Sequence, residues 1–227
     1  MATHVLEVAR SSKADAVYGE LKESILSGAL EPGSSIDKST LCDRLGVSRF
    51  PVSSAISRLA FERLVVVEPQ HGSFVARISI ESVSERLFIR RALEGEIAAE
   101  AAMTMKDADK KALNANLAEQ QSAVDAGDRA GFYALDVAFH RLLTSSLALV
   151  HSGEILDGLR SHLERVRRLL MAPPGRVQAT VHEHNAVVAA IIRGDAAGAR
   201  AAMDHHLRQM TQMVETFARE KPDLFSP

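Results

Sequence analysis

The chain has 227 residues, of which 46% are hydrophobic and 25% are charged, and its formal net charge is −2. This composition is typical of a globular protein with one large or two modest domains, and the charge excludes an overall basic footprint for nucleic acid. No apolar run reaches the length of a membrane span, and residues 1–13 lack the apolar core of a secretory signal. A single cysteine fits a reducing compartment, so we expect a cytoplasmic protein with no membrane partner.

The first informative stretch predicts two short helices joined by a tight turn. It runs from Leu41 to Leu59, after a helix expected over residues 14–27. Gly46 supplies the left-handed residue that ends the first short helix, and Ser48 offers a side-chain oxygen to cap the second. This pattern is typical of a helix-turn-helix, whose second helix enters the DNA major groove. A plain helical hairpin would show the same residues.

A predicted β-hairpin follows these helices. A β-branched run from Leu64 to Glu68 and a second short strand from Ser73 to Ala76 flank a turn over residues 69–72. A hairpin directly after a helix-turn-helix makes a winged helix. His71 and Gly72 would lie at the tip of the wing, where glycine lets the backbone approach a phosphate.

Three spaced elements give this region a family resemblance. They are G-x-L-x-P-G at residues 28–33, L-G-V-S-R-x-P-V at residues 45–52 and P-x-x-G at residues 69–72. In this order they resemble the N-terminal domain of the GntR family of bacterial regulators, which implies a winged helix that reads an operator. The family usually has Arg-Glu where this chain has Ser53 and Ser54, so we expect a different operator sequence and affinity. The expected DNA contacts are Lys38, Ser48, Arg49, Phe50, Ser53, Ser54, Arg58, His71 and Gly72.

From Ile80 onward the hydrophobic periodicity is helical almost throughout. It predicts an all-α antiparallel bundle of six helices, at about 80–103, 107–126, 128–148, 153–171, 176–193 and 195–219. The expected helix caps are Asp37, Asp107, Asp128 and Asp195, and Pro173-Pro174-Gly175 is expected to break the chain. Loose tails are expected at residues 1–12 and from Lys221. The fold class is therefore mostly α, with a winged helix-turn-helix of three helices and a small β-hairpin wing in residues 1–77 and the bundle in 80–227.

Polar side chains recur on the inward faces of the predicted bundle helices. Asp136 and His140 lie four positions apart on one helix, so both point into the same space. Helical phase also selects His184 over His182 and His206 over His205 as inward-facing. One carboxylate and three imidazoles form a set that suits a divalent metal, with zinc expected first and nickel or manganese as alternatives.

Two alternatives to this metal site remain open. Each histidine taken singly is also explained as a core side chain whose hydrogen bond is satisfied by a neighbour. His162 lies on a predicted inner stripe with Leu159 and Val166, and we interpret it as a pocket-wall or structural residue rather than a ligand.

The bundle resembles the FCD effector-binding domain of the FadR-like branch of GntR regulators. The matching segments are R-R-A-L-E at residues 90–94, D-V-A-F-H at 136–140, E-H at 183–184 and M-D-H-H-L at 203–207. The resemblance implies a divalent metal bound by Asp136, His140, His184 and His206. It also implies a small carboxylate effector that contacts the metal and an arginine on the first bundle helix, which Arg90 matches. Alternatively, Arg90 forms a surface or inter-domain salt bridge.

These features predict a ligand-responsive transcriptional regulator that binds a near-palindromic DNA operator as a homodimer, acting as a repressor. Two other functions are weaker: a bundle that only dimerises, and a metal-dependent hydrolase. Hydrolysis is disfavoured because the sequence shows no nucleophile–base pair and no phosphate-binding loop. Glu183 adjoins His184 in sequence, but it lies about 100° around the helix.

Overall fold

The computed structural model describes residues 12–170 and 175–226. The described residues divide into two compact units, one of residues 12–78 with Asp223–Ser226 and the other of Ser79–Pro222. None of the helices within the described ranges is long and apolar enough to cross a membrane. Of the loose tail expected at residues 1–12, only Ser12 is described, and it caps α1. Of the break expected at Pro173-Pro174-Gly175, only Gly175 is described, and it precedes α8 at φ +80°.

The N-terminal unit is a winged helix-turn-helix. Its helices are α1 (Lys13–Leu26), α2 (Lys38–Leu45) and α3 (Arg49–Phe61), followed by strands β1 (Val65–Glu68) and β2 (Gly72–Val75). The two strands pair antiparallel, with Val65 opposite Val75 and Glu68 opposite Gly72. The core between α1, α3 and the wing is formed by fully buried side chains that include Leu21, Ile25, Val52, Ile56 and Leu59.

The caps and ends of α2 and α3 mostly agree with the prediction. Asp37 caps α2 by accepting hydrogen bonds from two backbone N–H groups, and Gly46 ends it at φ +60°. Ser48 occupies the cap position of α3, but among the described atoms its side chain makes no capping hydrogen bond, so that prediction was wrong. Pro51 stands at the third helical position and has no N–H, which removes one of the two backbone donors that a capping side chain can use.

The expectation of a frayed C-terminal tail was also wrong. Residues Pro222–Leu224 form a 3₁₀ turn, and β4 (Phe225–Ser226) pairs with β3 (Ile78–Ser79). Phe225 is only 4% exposed. An aromatic side chain that is buried this completely holds the segment in the N-terminal unit, to which it belongs by its contacts.

The second unit is helical throughout its described part. Its helices are α4 (Ile80–Thr104), α5 (Asp107–Asp125), α6 (Arg129–Ser146), α7 (Val150–Leu170), α8 (Arg176–Ile192) and α9 (Ala196–Glu220). Asp128 and Asp195 cap α6 and α9 as predicted. Asp107 does not cap α5, because Lys106 holds the cap position; Asp107 instead begins the first turn, where its charge complements the helix dipole.

The core of this unit lies between α4, α5, α6, α8 and α9. It is built from small and aliphatic side chains that include Ala98, Leu113, Leu143, Ile191 and Met203. The alanine-rich face of α4 lets α9 pack closely against it. These helices bring the middle turns of α6, α8 and α9 together, and the predicted polar residues lie on those turns.

Candidate metal centre and DNA-binding face

Three histidines from three helices converge in the interior of the helical unit. His140 on α6, His184 on α8 and His206 on α9 are all buried, and one nitrogen from each lies within 4.8 Å of the other two. The neighbouring His182 and His205 are exposed, as helical phase predicts. The chemistry of this donor set fits a late first-row divalent ion, which prefers neutral imidazole nitrogens.

The Nδ1 atom of each clustered histidine faces an oxygen of a neighbouring side chain. His184 Nδ1 lies 2.9 Å from Gln120 Oε1, His206 Nδ1 lies 2.7 Å from Glu183 Oε2, and His140 Nδ1 lies 2.5 Å from Glu94 Oε2. If each Nδ1–H donates to its oxygen, each Nε2 keeps its lone pair for a metal. His184 Nε2 is buried without a hydrogen-bond partner among the described residues. A buried nitrogen in this state is consistent with a metal ligand, because its lone pair is free to bind an ion.

A chain of side-chain amides determines which atom donates the hydrogen bond between Gln120 and His184. Gln120 donates from its Nε2 to Asn116 Oδ1 at 2.7 Å, and Asn116 donates from its Nδ2 to the carbonyl of Leu135 at 3.1 Å. Because the amide nitrogen of Gln120 is used in this way, its oxygen must face His184. The His184 Nδ1 is therefore the protonated nitrogen in the neutral ring.

Electrostatics keep two of the three imidazoles neutral. Burial lowers the pKa of His140 to about 4, and burial followed by the neighbouring His206 lowers the pKa of His184 well below its usual value. Burial alone would raise the pKa of Glu183, but hydrogen bonds from Arg176 and His206 lower it to about 2. A neutral imidazole that donates to a carboxylate is the protonation state that metal binding requires.

Asp136 lies beside the histidine cluster and is already paired. Its Oδ1 is 3.7 Å from His184 Nε2, while its Oδ2 accepts a hydrogen bond from Arg167. Burial opposes ionisation of Asp136, but the Arg167 guanidinium outweighs it and holds the pKa of the carboxyl below its usual range. A charged carboxylate is thus held beside His184, but Asp136 is not among the residues whose donor atoms all lie within 4.8 Å of one another, a group that contains only the three histidines among the described residues.

The surface of α3 that the sequence predicts to face DNA is exposed in this structure. Arg49 and Ser53 are exposed and Ser54 is partly exposed, while the aromatic side chain of Phe50 is 80% exposed. The exposed Phe50 ring offers an apolar contact on an otherwise polar helix face.

The remaining predicted DNA contacts differ in how available they are. His71 and Gly72 lie exposed at the wing tip, where Gly72 adopts φ +120°, and Lys38 is partly buried. Arg58 is committed to its own unit: its Nη1 lies 2.6 Å from Asp15 Oδ1, and its guanidinium lies 3.9 Å from the centre of the Tyr18 ring. Exposed ion pairs of this kind are weak, so a phosphate could still compete for Arg58.

Comparison with known families matches both halves of the chain. Residues 13–75 match the family described as bacterial regulatory proteins, gntR family, and residues 85–209 match the FCD domain. A HTH-type transcriptional regulator of Streptomyces ambofaciens is 33% identical over 219 residues, which span 96% of this chain and 91% of that protein. The chain belongs to the GntR family of bacterial regulators and carries an FCD domain. It is a transcriptional regulator rather than an enzyme.

Other relatives agree with this assignment. The HTH-type transcriptional repressor RspR of Escherichia coli K12 is 29% identical over 210 residues, 92% of each chain. The solved structure of E. coli McbR/YncC covers 92% of this chain and 100% of its own, with 22% identity and a TM-score of 0.69. A GntR regulator from Rhodococcus sp. RHA1 covers 90% and 99%, with 22% identity and a TM-score of 0.71. Both structures share the fold.

For this GntR regulator the predicted position of His162 was wrong. Its side chain is exposed, because the buried stripe of α7 runs through Leu156, Arg160, Leu163 and Arg167. The other two members of the predicted stripe are correct, since Val166 is buried and Leu159 packs against the core, but the buried face also includes residues one position later, where arginines were not expected. The same error missed Arg160 and Arg167, both of which adjoin the centre.

Arg90 is buried on α4 rather than lying at the surface. Its Nε donates to Glu94 Oε1 at 2.7 Å, and the other oxygen of Glu94 contacts His140. Arg90 is therefore joined to the histidine cluster through one carboxylate. Sequence reasoning found Arg90 but missed Glu94, Gln120 and Glu183, although the spacing of Glu94 four positions after Arg90 was a usable signal.

Proposed function

We propose that this GntR-family protein is a ligand-responsive repressor whose FCD domain binds a divalent metal and a small carboxylate. The observation that carries the proposal is the buried three-histidine cluster in the same chain as a winged helix-turn-helix. Within this cluster, His184 Nε2 has no hydrogen-bond partner among the described residues. A bundle that served only for dimerisation would gain nothing from burying three imidazoles, which is costly without a binding partner.

The proposed metal ligands are the Nε2 atoms of His140, His184 and His206, with Asp136 as the fourth ligand. Zinc is the expected ion, and nickel or manganese are alternatives. When bound, the metal supplies a Lewis-acid position for a carboxylate oxygen. Asp136 is paired with Arg167 in this structure. Its negative charge favours a bound cation whether Asp136 contacts the ion directly or only lies beside it.

The proposed effector contacts are the metal and Arg90. Support for Arg90 comes from its burial and its link to His140 through Glu94. An arginine suits a carboxylate because its planar fork matches the two oxygens. His162 has no place in this proposal, since its side chain is exposed.

The proposed target is double-stranded operator DNA in the cytoplasm, bound by a homodimer that reads two half-sites about one helical turn apart. Arg49 and Phe50 at the N-terminal end of α3 are the expected base-reading residues, with Ser53 and Ser54 beside them. Ser48, Lys38, Arg58, His71 and Gly72 are expected to position the phosphate backbone. Because effector and DNA bind the same protein, each must change the affinity of the other by the same factor.

Electrophoretic shifts with duplexes selected from a random pool test this function. The metal-loaded protein should bind a near-palindromic sequence at moderate salt, and a carboxylate panel should contain an acid that weakens the complex. Metal-depleted protein should lose the carboxylate response. Absence of any sequence-selective complex would contradict the regulator reading, and a carboxylate response that survives metal removal would contradict the sensing part.

A further inference from the structure

The exposed face of α3 carries two phenylalanines, one near each end of the helix. Phe50 is 80% exposed and Phe61 is 90% exposed. Because they are eleven positions apart, they lie on the same face of the helix, roughly 16 Å from each other along its axis. An open groove between them is lined by Ser53, Ser54 and Ser57. Each phenyl ring therefore projects beyond the short polar side chains of this face.

Phe50 differs from Phe61 in its position and in its electrostatic surroundings. Phe50 is the second residue of α3, next to the exposed Arg49 and at the positive end of the helix dipole, whereas Phe61 is the last residue of the helix. In a helix-turn-helix the N-terminal residues of the second helix contact the base edges. The positive surroundings of Phe50 suit a polyanion, so they favour DNA as the partner that covers this ring.

The backbone around Phe50 is anchored to the core of the N-terminal unit. The next two residues, Pro51 and Val52, are both buried. The proline ring also fixes its own φ angle, which restricts the backbone at this end of the helix. A phenylalanine side chain has only two rotatable χ angles, so ordering its ring against a partner costs little entropy. Phe50 is thus an apolar contact that is largely ordered before DNA binds.

The other exposed residues on this face of α3 recognise different features of a base. A serine hydroxyl both donates and accepts, so Ser53, Ser54 and Ser57 can bond to any base. Arg49 suits guanine, which presents two acceptors in the major groove. A phenyl ring makes no such hydrogen bond. Its apolar complement is the C5-methyl group, which among the four standard bases only thymine presents in the major groove.

We propose that Phe50 reads thymine in the operator by packing its ring against the C5-methyl group. This inference rests on the proposed operator binding and adds a base and an atom to it. The contact removes the exposed ring and the methyl group from water at the same time. Burying one methyl-sized group strengthens binding about fourfold, and a dimer that makes the contact in both half-sites gains roughly fifteenfold.

Deoxyuridine substitution tests this contact, because uracil differs from thymine in the C5-methyl group alone. An operator is first selected from a random pool with the full-length wild-type protein. Its thymines are then replaced by deoxyuridine, one symmetry-related pair at a time, and at least one replacement should weaken the complex roughly fifteenfold in gel shifts. Sequence-selective binding that no replacement weakens would overturn the assignment while leaving the regulator function intact. Absence of any sequence-selective binding would overturn both.

The variant Phe50→Ser separates the methyl contact from other effects of uracil, such as altered DNA stiffness. It should bind the thymine and uracil operators with equal affinity, whereas Phe50→Leu, which keeps an apolar side chain, should retain a preference for thymine. Phe61→Ser is the matched control, since Phe61 is similarly exposed on the same helix face, and it should keep the wild-type preference. A thymine preference that survives in Phe50→Ser, or that is lost to the same extent in Phe61→Ser, would contradict the assignment.

Discussion

The contact between Gln120 and His184 gives the sharpest test of how the metal centre is supported. Gln120 is fully buried, and its oxygen lies 2.9 Å from the Nδ1 atom of His184. In Gln120→Leu the ring would lose this acceptor, and Asn116 Oδ1 would lose the amide donor at 2.7 Å. The buried His184 N–H would then lack a partner, and the ring would lose its fixed orientation.

The size of the effect follows from these two lost contacts. Removing a group that orients a metal-bound histidine lowers metal affinity by about 10- to 100-fold, which corresponds to about 1.4 to 2.7 kcal/mol of binding free energy. The unpaired groups should also lower the free energy of unfolding of the metal-free protein by about 1 to 3 kcal/mol.

Metal affinity is measured by competition with a chromophoric chelator, and stability by denaturant unfolding. Gln121→Leu is the matched control, because Gln121 is the next residue but hydrogen-bonds Gln178 and Asp125 instead. We expect the control to keep wild-type metal affinity. If Gln120→Leu also keeps it, the assignment of Nε2 as the metal-binding nitrogen of His184 is wrong.

Three further predictions concern DNA binding, pH and the C-terminal segment. Arg49→Ala should abolish sequence-specific binding in gel shifts without changing the circular dichroism spectrum; an unchanged operator affinity would show that α3 does not read DNA. The pKa of His140 is lowered by burial from 6.5 to about 4. As the pH falls, this histidine is therefore protonated in the unfolded state at a higher pH than in the folded state. The free energy of unfolding of metal-free protein should therefore drop between about pH 6.5 and pH 4, by up to about 3 kcal/mol from this group. His140→Gln should reduce that slope, and an equal slope in the variant would refute the cause. Phe225→Ala should destabilise the N-terminal unit by about 3 kcal/mol or more in denaturant unfolding, whereas exposed Phe50→Ala should change stability little; equal effects would contradict the burial of Phe225.

The helical periodicity of apolar residues and the residues that cap and end helices made much of the fold predictable. The same periodicity identified the inward-facing histidines. The periodicity of the bundle located each helix to within a few residues, and the difference of two positions between His182 and His184 was enough to separate an exposed from a buried ring. Asp128 and Asp195 were readable as caps because each directly follows a glycine that ends the preceding helix.

The sequence failed where tertiary contacts override local preference. The buried face of α7 was only partly predicted, because Arg160 and Arg167 are buried against carboxylates on other helices. The pairing of Phe225–Ser226 with Ile78–Ser79 joins segments that are distant in sequence, which no local pattern reveals. The roles of Glu94, Gln120 and Glu183 likewise depend on contacts with histidines that lie on other helices.

Elemental analysis of protein purified without chelators tests the central claim most directly. We expect about one divalent metal ion per wild-type chain, and a marked loss of it in His184→Ala and in His206→Ala. His182→Ala and His205→Ala are the matched controls, because both side chains are exposed, and they should keep the metal. A wild-type protein that contains no metal and takes up none when zinc, nickel or manganese is supplied would contradict the account.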